Sequence, residues 1–293
     1  MRVLITGASG FLGGEVAKSL ACNHQVIAPS RQKTLPPGLT LFKADLAGDF
    51  NTIEWPDVDA IVHLAQSSRY TDFPASAGEV FAVAAGATQK LLDYAVRVGA
   101  QRFIFASTGG LYAQSGRPAV ETDFVEVATG PIAHYLASKY AGELVLQSYR
   151  RLIDTTAVRI FFCYGPGQRP AMLIPRLAAS ILSGKPIRLQ GENGPLMNPI
   201  FVTDAVEAIQ RLVTGGGPDL VNLAGPRNLS LRDICEIIGV HARRMPIFEN
   251  DPVSQAPNLT ACIERLKSDV IAPTIDPDSG LSEVVRSLTT SPP

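Results

Sequence analysis

Up to about residue 165 the chain alternates short, nearly continuous apolar runs with stretches of helical spacing. Val3–Ile5, Val26–Ala28, Leu39–Phe42, Ala60–Ala65, Phe103–Ala106 and Ala157–Phe162 read as six strands. Between them, Phe11, Leu12, Val16 and Leu20 recur at helical spacing, as do Leu91, Leu92, Ala95 and Val96 within a helix expected over 80–98. A further helix is expected near 134–151. Strands that are apolar at every position, rather than at alternate ones, are covered on both faces, as in a parallel sheet. Strands alternating with helices make a doubly wound α/β domain.

Beyond 165 the pattern changes. Residues 165–200 are rich in Gly and Pro and hold one helical run, Leu173 to Leu182. Over 200–240 the α/β style returns: Asp204 and Glu207 read as an Asp-x-x-Glu helix start, and Val221–Ala224 as a strand. The last fifty residues read as irregular, with a frayed end at Ser291-Pro292-Pro293. The expected organisation is a nucleotide-binding domain, 1–165 plus 200–240, and a smaller interleaved lobe, 166–199 plus 241–293, that binds substrate.

Composition narrows the class. A chain of 293 residues, 46% apolar and 18% charged, is globular and large enough to need no covalent or metal staples. A formal net charge of -1 offers no general attraction to nucleic acid or to an anionic membrane. No apolar run approaches the roughly 18 residues of a membrane span. The four cysteines, Cys22, Cys163, Cys235 and Cys262, are scattered, without metal spacing or a disulfide framework. The first residues enter a strand at once and leave no room for a signal peptide, so a cytoplasmic protein with reduced thiols is expected.

Three motifs carry chemistry. Thr6-Gly7-Ala8-Ser9-Gly10-Phe11-Leu12-Gly13 has the spacing Gly-x-x-Gly-x-x-Gly and falls between the first strand and first helix. There Gly7 permits a tight turn, Gly10 a close approach to a pyrophosphate, and Gly13 close packing of helix on sheet. At the end of the second strand an acidic residue would mark NAD, but Ser30 and Arg31 stand there. A hydroxyl and a guanidinium suit a 2′-phosphate and favour NADP(H), with NAD the alternative. Third, Tyr135 and Lys139 are four apart and share a helix face. An ammonium beside the phenol is expected to lower its pKa toward neutrality and to reach the nicotinamide ribose. Ser107 and Thr108, upstream at a strand end, offer hydroxyls to a substrate oxygen.

Together these motifs resemble the short-chain dehydrogenase/reductase superfamily, in its extended branch of NAD(P)-dependent nucleotide-sugar epimerases, dehydratases and reductases. The resemblance implies a catalytic trio of Thr108, Tyr135 and Lys139. It also implies cofactor contacts from Gly7, Ser9, Gly10, Phe11, Leu12, Gly13, Ser30, Arg31, Ser107, Tyr135 and Lys139. Asp45-Leu46 resembles the adenine-contacting pair, and His63-Leu64-Ala65 the strand end beside the cofactor. Ser107-Thr108 with Leu111-Tyr112, Arg159 with Tyr164-Gly165-Pro166, Val202-Thr203-Asp204 and Gly280-Leu281 continue the match. The partner implied is a small-molecule substrate of nucleotide-sugar type. A homodimer through helices near 80–98 and 134–151 is implied as well.

Departures shape the expected activity. Gly109 and Gly110 stand where 4,6-dehydratases of this kind carry an Asp-Glu pair, so elimination lacks its acid and base. Phe162 and Met197 replace an Asn and an Arg that contact the sugar nucleotide in the resembled family. Arg169, Arg176 and Arg188 are the other cations available to an anionic substrate. His63, His134, Cys163 and Trp55 read as structural. Reduction of a keto group with NADPH is the favoured reading, epimerisation with retained NAD the second, and a non-catalytic NADP-binding regulator the third.

Overall fold

The computed structural model describes residues 1–31, 38–50, 54–113, 116–127, 129–254 and 256–290. In chain order the elements are β1 (Arg2–Thr6), α1 (Phe11–Ala21), β2 (Gln25–Ser30), β3 (Thr40–Lys43), β4 (Ala60–His63), α2 (Ala77–Phe81), α3 (Ala87–Arg97) and β5 (Arg102–Thr108). There follow α4 (Ala133–Ser148), β6 (Asp154–Ile160), α5 (Leu173–Leu182), β7 (Ile187–Gln190), β8 (Leu196–Met197), α6 (Val202–Gly215) and β9 (Leu220–Leu223). The chain continues through β10 (Leu229–Ser230), α7 (Leu231–Ala242), β11 (Phe248–Asp251), α8 (Glu264–Asp269) and α9 (Pro277–Thr290).

Seven strands form one parallel sheet in the order β3-β2-β1-β4-β5-β6-β9. This is the Rossmann arrangement of a doubly wound α/β fold. The sheet separates two cores because successive side chains of a strand point to opposite faces. On β1, Val3 and Ile5 join the cluster containing Val16, Leu20, Ile209 and Val213, from α1 and α6. Leu4 joins Ile61, Phe103, Leu91 and Leu92 on the other face. Gln210 of α6 donates to Ser19 of α1 at 2.7 Å, linking the two helices that share that face. Outside the sheet, β7 pairs in parallel with β11 and β8 antiparallel with β10. Among the described residues no helix is long and apolar enough to cross a membrane.

Several expectations are corrected. The helix expected over 80–98 is broken: Ala82–Gly86 forms a π-turn between α2 and α3. β6 stops at Ile160, because Phe162 adopts a left-handed backbone (φ 44) that no strand continues. β4 stops at His63, short of Ala65. The last fifty residues are not irregular, since α9 places Leu281, Val284 and Val285 in the core. Ser291, Pro292 and Pro293 lie outside the described residues. Asp204 does not start a helix. Phe201 is the cap of α6, and the buried Asp204 carboxylate accepts from Thr274 N–H (3.1 Å), Thr274 Oγ1 (3.2 Å) and Ile275 N–H (3.0 Å). It fastens the C-terminal segment to the sheet domain.

Candidate active site

The glycine loop sits at the carboxyl end of β1, where the sheet's central strands open. Gly7 has φ +77, a conformation that L side chains rarely adopt, and a Cβ there would meet Ala65 N at 2.8 Å. A Cβ on Gly13 would lie 2.2 Å from the Gly7 carbonyl oxygen. The loop is therefore pressed between the end of β4 and the first turn of α1. Thr6 Oγ1 accepts from Ala65 N–H at 3.1 Å and lies 2.6 Å from His63 Nδ1, which fixes the β4 end beside the loop. Gly10 caps α1 with no side-chain bond, and the first turn holds no acidic residue. The N–H groups at that end are free of side-chain caps and favour an anion. A cradle without side chains at a helix start fits the pyrophosphate of a dinucleotide. Ser9 is exposed, and Gly10, Phe11 and Leu12 are half-buried around it.

Ser30 ends β2 and is buried, while Arg31 is exposed, with its guanidinium 3.9 Å from the Glu79 carboxylate. Asp45 is exposed and its carboxylate accepts from Ala47 N–H at 3.1 Å. Leu46 packs against the core face formed by Leu4 and Ile27. Leu64 and Ala65 are half-buried at the end of β4.

β5 delivers Thr108 and α4 delivers Tyr135 and Lys139 to the same end of the sheet. The Thr108 hydroxyl lies beside the Tyr135 phenol and acts to lower its pKa. Tyr135 packs against the Tyr70 ring at 5.1 Å. Tyr70 belongs to no motif, and the sequence held no signal for it. Lys139 is buried, donates to the Ala106 carbonyl at 2.7 Å and lies 5.0 Å from the centre of the Phe105 ring. Burial pushes the Tyr135 phenol up to about 12, against the Thr108 hydroxyl that lowers it. The phenol is thus not brought toward neutrality as the Tyr–Lys spacing suggests. Burial instead acts on the ammonium, taking Lys139 down to about 7, with Glu143 opposing.

Ser107 is also placed differently from expectation. Strand alternation turns it away from Thr108, and its hydroxyl donates to Glu143. Glu143 accepts from Arg159 Nε at 2.9 Å and Nη2 at 2.6 Å, and both side chains are buried. The Arg159 guanidinium stacks on Tyr112 at 4.5 Å, and Tyr112 donates to Asn222 Oδ1 at 2.6 Å. Glu143 and Asn222 of this polar layer carry no motif in the sequence, because the layer's members come from β5, α4, β6 and β9 and meet only in the fold.

The remaining candidates take structural places. His63 is wholly buried, 3.2 Å from the Val83 carbonyl through Nε2, and burial lowers it to about 3. His134 Nε2 lies 2.9 Å from the Ala77 carbonyl. Burial raises the Cys163 thiol to about 12. Trp55 packs on Phe42, Phe50 and Tyr94. Met197 is buried in β8 and Arg188 pairs with Asp251 at 2.5 Å, while Arg169 and Arg176 are exposed.

Residues 3–224 match the NAD dependent epimerase/dehydratase family. The chain belongs to that family. It is 30% identical to a probable UDP-glucuronate 4-epimerase of Rhizobium meliloti, over 72% of this chain and 68% of that one. It is 28% identical to a dTDP-glucose 4,6-dehydratase of Streptomyces niveus, over 81% and 76% of the two chains. The UDP-glucuronic acid 4-epimerase of Bacillus cereus, solved with UDP-glucuronic acid and NAD, shares the fold at a TM-score of 0.86 and 20% identity, with 99% of each chain covered. Membership makes this chain an enzyme of a nicotinamide-dinucleotide family, with an extended short-chain dehydrogenase/reductase architecture. Within it, Gly109 is notable. A Cβ there would fall 2.5 Å from three carbons of the Phe161 ring, so position 109 has no room for a carboxylate side chain.

Proposed function

We propose that the protein is an epimerase of a nucleotide-linked sugar, working by oxidation and re-reduction of one hydroxyl-bearing carbon. The observation that carries this reading is the convergence of Thr108, Tyr135 and Lys139 beside a side-chain-free dinucleotide cradle. Residues 1–165 and 200–240 hold the dinucleotide in this reading. The segments 166–199 and 241–293 contact the sugar nucleotide.

Tyr135, once ionised with the Lys139 ammonium as its counter-charge, accepts the proton of the reacting hydroxyl and returns it to the carbonyl oxygen when the carbon is reduced. Thr108, beside the phenol, hydrogen-bonds the same oxygen and holds it against Tyr135. Lys139, as an ammonium, offsets the negative charge that develops on Tyr135. The nicotinamide, when bound, supplies the acceptor and donor for hydride. Elimination of water is disfavoured: Gly109 and Gly110 provide no acid or base, and the Phe161 ring fills the space at 109.

Ser30 and Arg31 favour a second reading, net reduction of a keto group with NADPH. The Glu79 carboxylate 3.9 Å from Arg31 weighs against it, because a 2′-phosphate would have to share that cation. The non-catalytic regulator is least supported, since the trio is intact. The exposed apolar side chains Phe81, Val96 and Leu144, on and around α3 and α4, support a homodimer through those helices.

The test is incubation of the purified protein with UDP-hexoses and UDP-hexuronates in turn with catalytic NAD, and with UDP-4-keto-hexoses and stoichiometric NADPH. Inversion of one sugar hydroxyl, read by NMR without net change in cofactor, supports epimerisation. NADPH consumption with a keto substrate supports the second reading.

A further inference from the structure

Three buried charges, Lys139 and Glu143 of α4 and Arg159 of β6, lie behind the site. Lys139 is 3% exposed. One turn along the same face of α4, the Glu143 carboxylate accepts from Ser107 and takes two bonds from Arg159. Arg159 spends Nε and Nη2 on that carboxylate, its Nη1 is buried without a partner, and its plane covers Tyr112. The set is two cations and one anion. A buried charge is costly unless an opposite charge compensates it, and here one carboxylate serves two cations.

The titratable groups around Lys139 are Glu143 one turn on and Tyr135 one turn back along its own helix and His63 from β4, while Arg159 from β6 reaches it through its ion pair with Glu143. His63 is held neutral by burial and the Tyr135 phenol is raised, so neither brings negative charge near neutral pH. Glu143 is the anion of this set. Resting on the reading of Tyr135 and Lys139 as the working pair, we propose that Glu143 is a positioning residue. Its carboxylate keeps the enclosed Lys139 cationic, and Arg159 sets how much of that negative charge Lys139 feels. Ser107 and the Arg159 fork fix the carboxylate so that it cannot turn away. The pairing matters because Lys139 titrates at about 7, within the working range, and a neutral Lys139 gives Tyr135 no compensation.

Opposite shifts on the two sides of the ion pair separate this role from a purely structural one. Protein labelled with 13C at lysine Cε, with Lys139→Met to assign the resonance, reports the Lys139 midpoint directly. Glu143→Gln should lower the midpoint by about one pH unit or more, and Arg159→Met should raise it. Glu143→Asp should return it toward the wild-type value. The alkaline limb of kcat/KM should follow the midpoint in each variant. If Glu143→Gln does not fold, Glu143→Gln with Arg159→Met removes both charges together. That variant should titrate below wild type, because Glu143 is the charge that acts on Lys139 directly. An unchanged midpoint in Glu143→Gln or in the double variant, or shifts of the same sign in both single variants, overturns the proposal. The midpoint does not depend on turnover. A fully active Tyr135→Phe enzyme would therefore defeat the catalytic reading while leaving this measurement to judge Glu143 separately.

Discussion

Lys139 Nζ and the Ala106 carbonyl oxygen are 2.7 Å apart, and this bond, with that of Ser107 to Glu143, ties α4 to the carboxyl end of β5. Thr108 lies two residues along the strand and Tyr135 one turn back along the helix. The two bonds together therefore set the spacing of the trio.

The glycine cradle is sensitive to a single methyl group. Gly13→Ala puts a carbon 2.2 Å from a backbone oxygen, which cannot move as a flexible side chain would. Overpacking of this kind typically costs about 1–3 kcal/mol. Stability in urea should fall by that amount and NAD affinity should fall with it. Gly78→Ala, in α2 with open space around it, should be neutral or stabilise by about 0.4–1 kcal/mol. Equal behaviour of the two variants would count against a tight loop.

Asp204→Ala removes the acceptor for two backbone N–H groups and one hydroxyl of residues 274 and 275. Loss of hydrogen bonds to a charged group costs about 1.5–3 kcal/mol. The melt should shift accordingly, and amide exchange across Thr274 and Ile275 should accelerate. Protection unchanged at those two amides would show that Asp204 does not anchor the segment.

Acid should weaken the fold partly through His63. Its folded pKa, about 3, lies below the ordinary value of 6.5, so between these limits the unfolded chain binds a proton that the native chain refuses. Stability is full above 6.5 and is lost progressively as pH falls toward 3. In urea melts at pH 7, 6 and 5, His63→Asn should lose less on acidification than wild type, by up to about 1.4 kcal/mol per pH unit. Parallel pH dependences would contradict this.

Arg31 bears on the cofactor. If its guanidinium meets a 2′-phosphate, Arg31→Ala should cost NADP roughly tenfold to a hundredfold relative to NAD. Fluorescence titration with both nucleotides measures the ratio. An unchanged ratio removes Arg31 from cofactor choice.

The central strands β1, β2, β4 and β5 could be read along the chain because each is an apolar run covered on both faces, and α5 because its period is regular; β3 is an exposed edge strand. The π-turn at Ala82–Gly86 could not, since one extra residue in a turn leaves the apolar spacing on either side intact. α9 was hidden by its opening, Pro277-Asp278-Ser279-Gly280, which has the composition of a loop. The same division holds at the site. The glycine loop is local and carries its own spacing, whereas Ser107 could be assigned to Glu143 only once α4 lay against β5. The ionisation of Tyr135 and Lys139 follows from how deeply they are enclosed, and sequence spacing does not encode depth.

The central claim is that Tyr135 moves the proton in a redox reaction on a nucleotide sugar. The most direct test compares wild type with Tyr135→Phe on the nucleotide sugar that the wild type turns over, following the inverted hydroxyl by NMR in single-turnover conditions. Proton transfer by a placed side chain contributes about 10²–10⁴-fold, so the variant should bind NAD as wild type does and slow the chemical step by that factor. A Tyr135→Phe enzyme that inverts the hydroxyl at the wild-type rate would contradict the account.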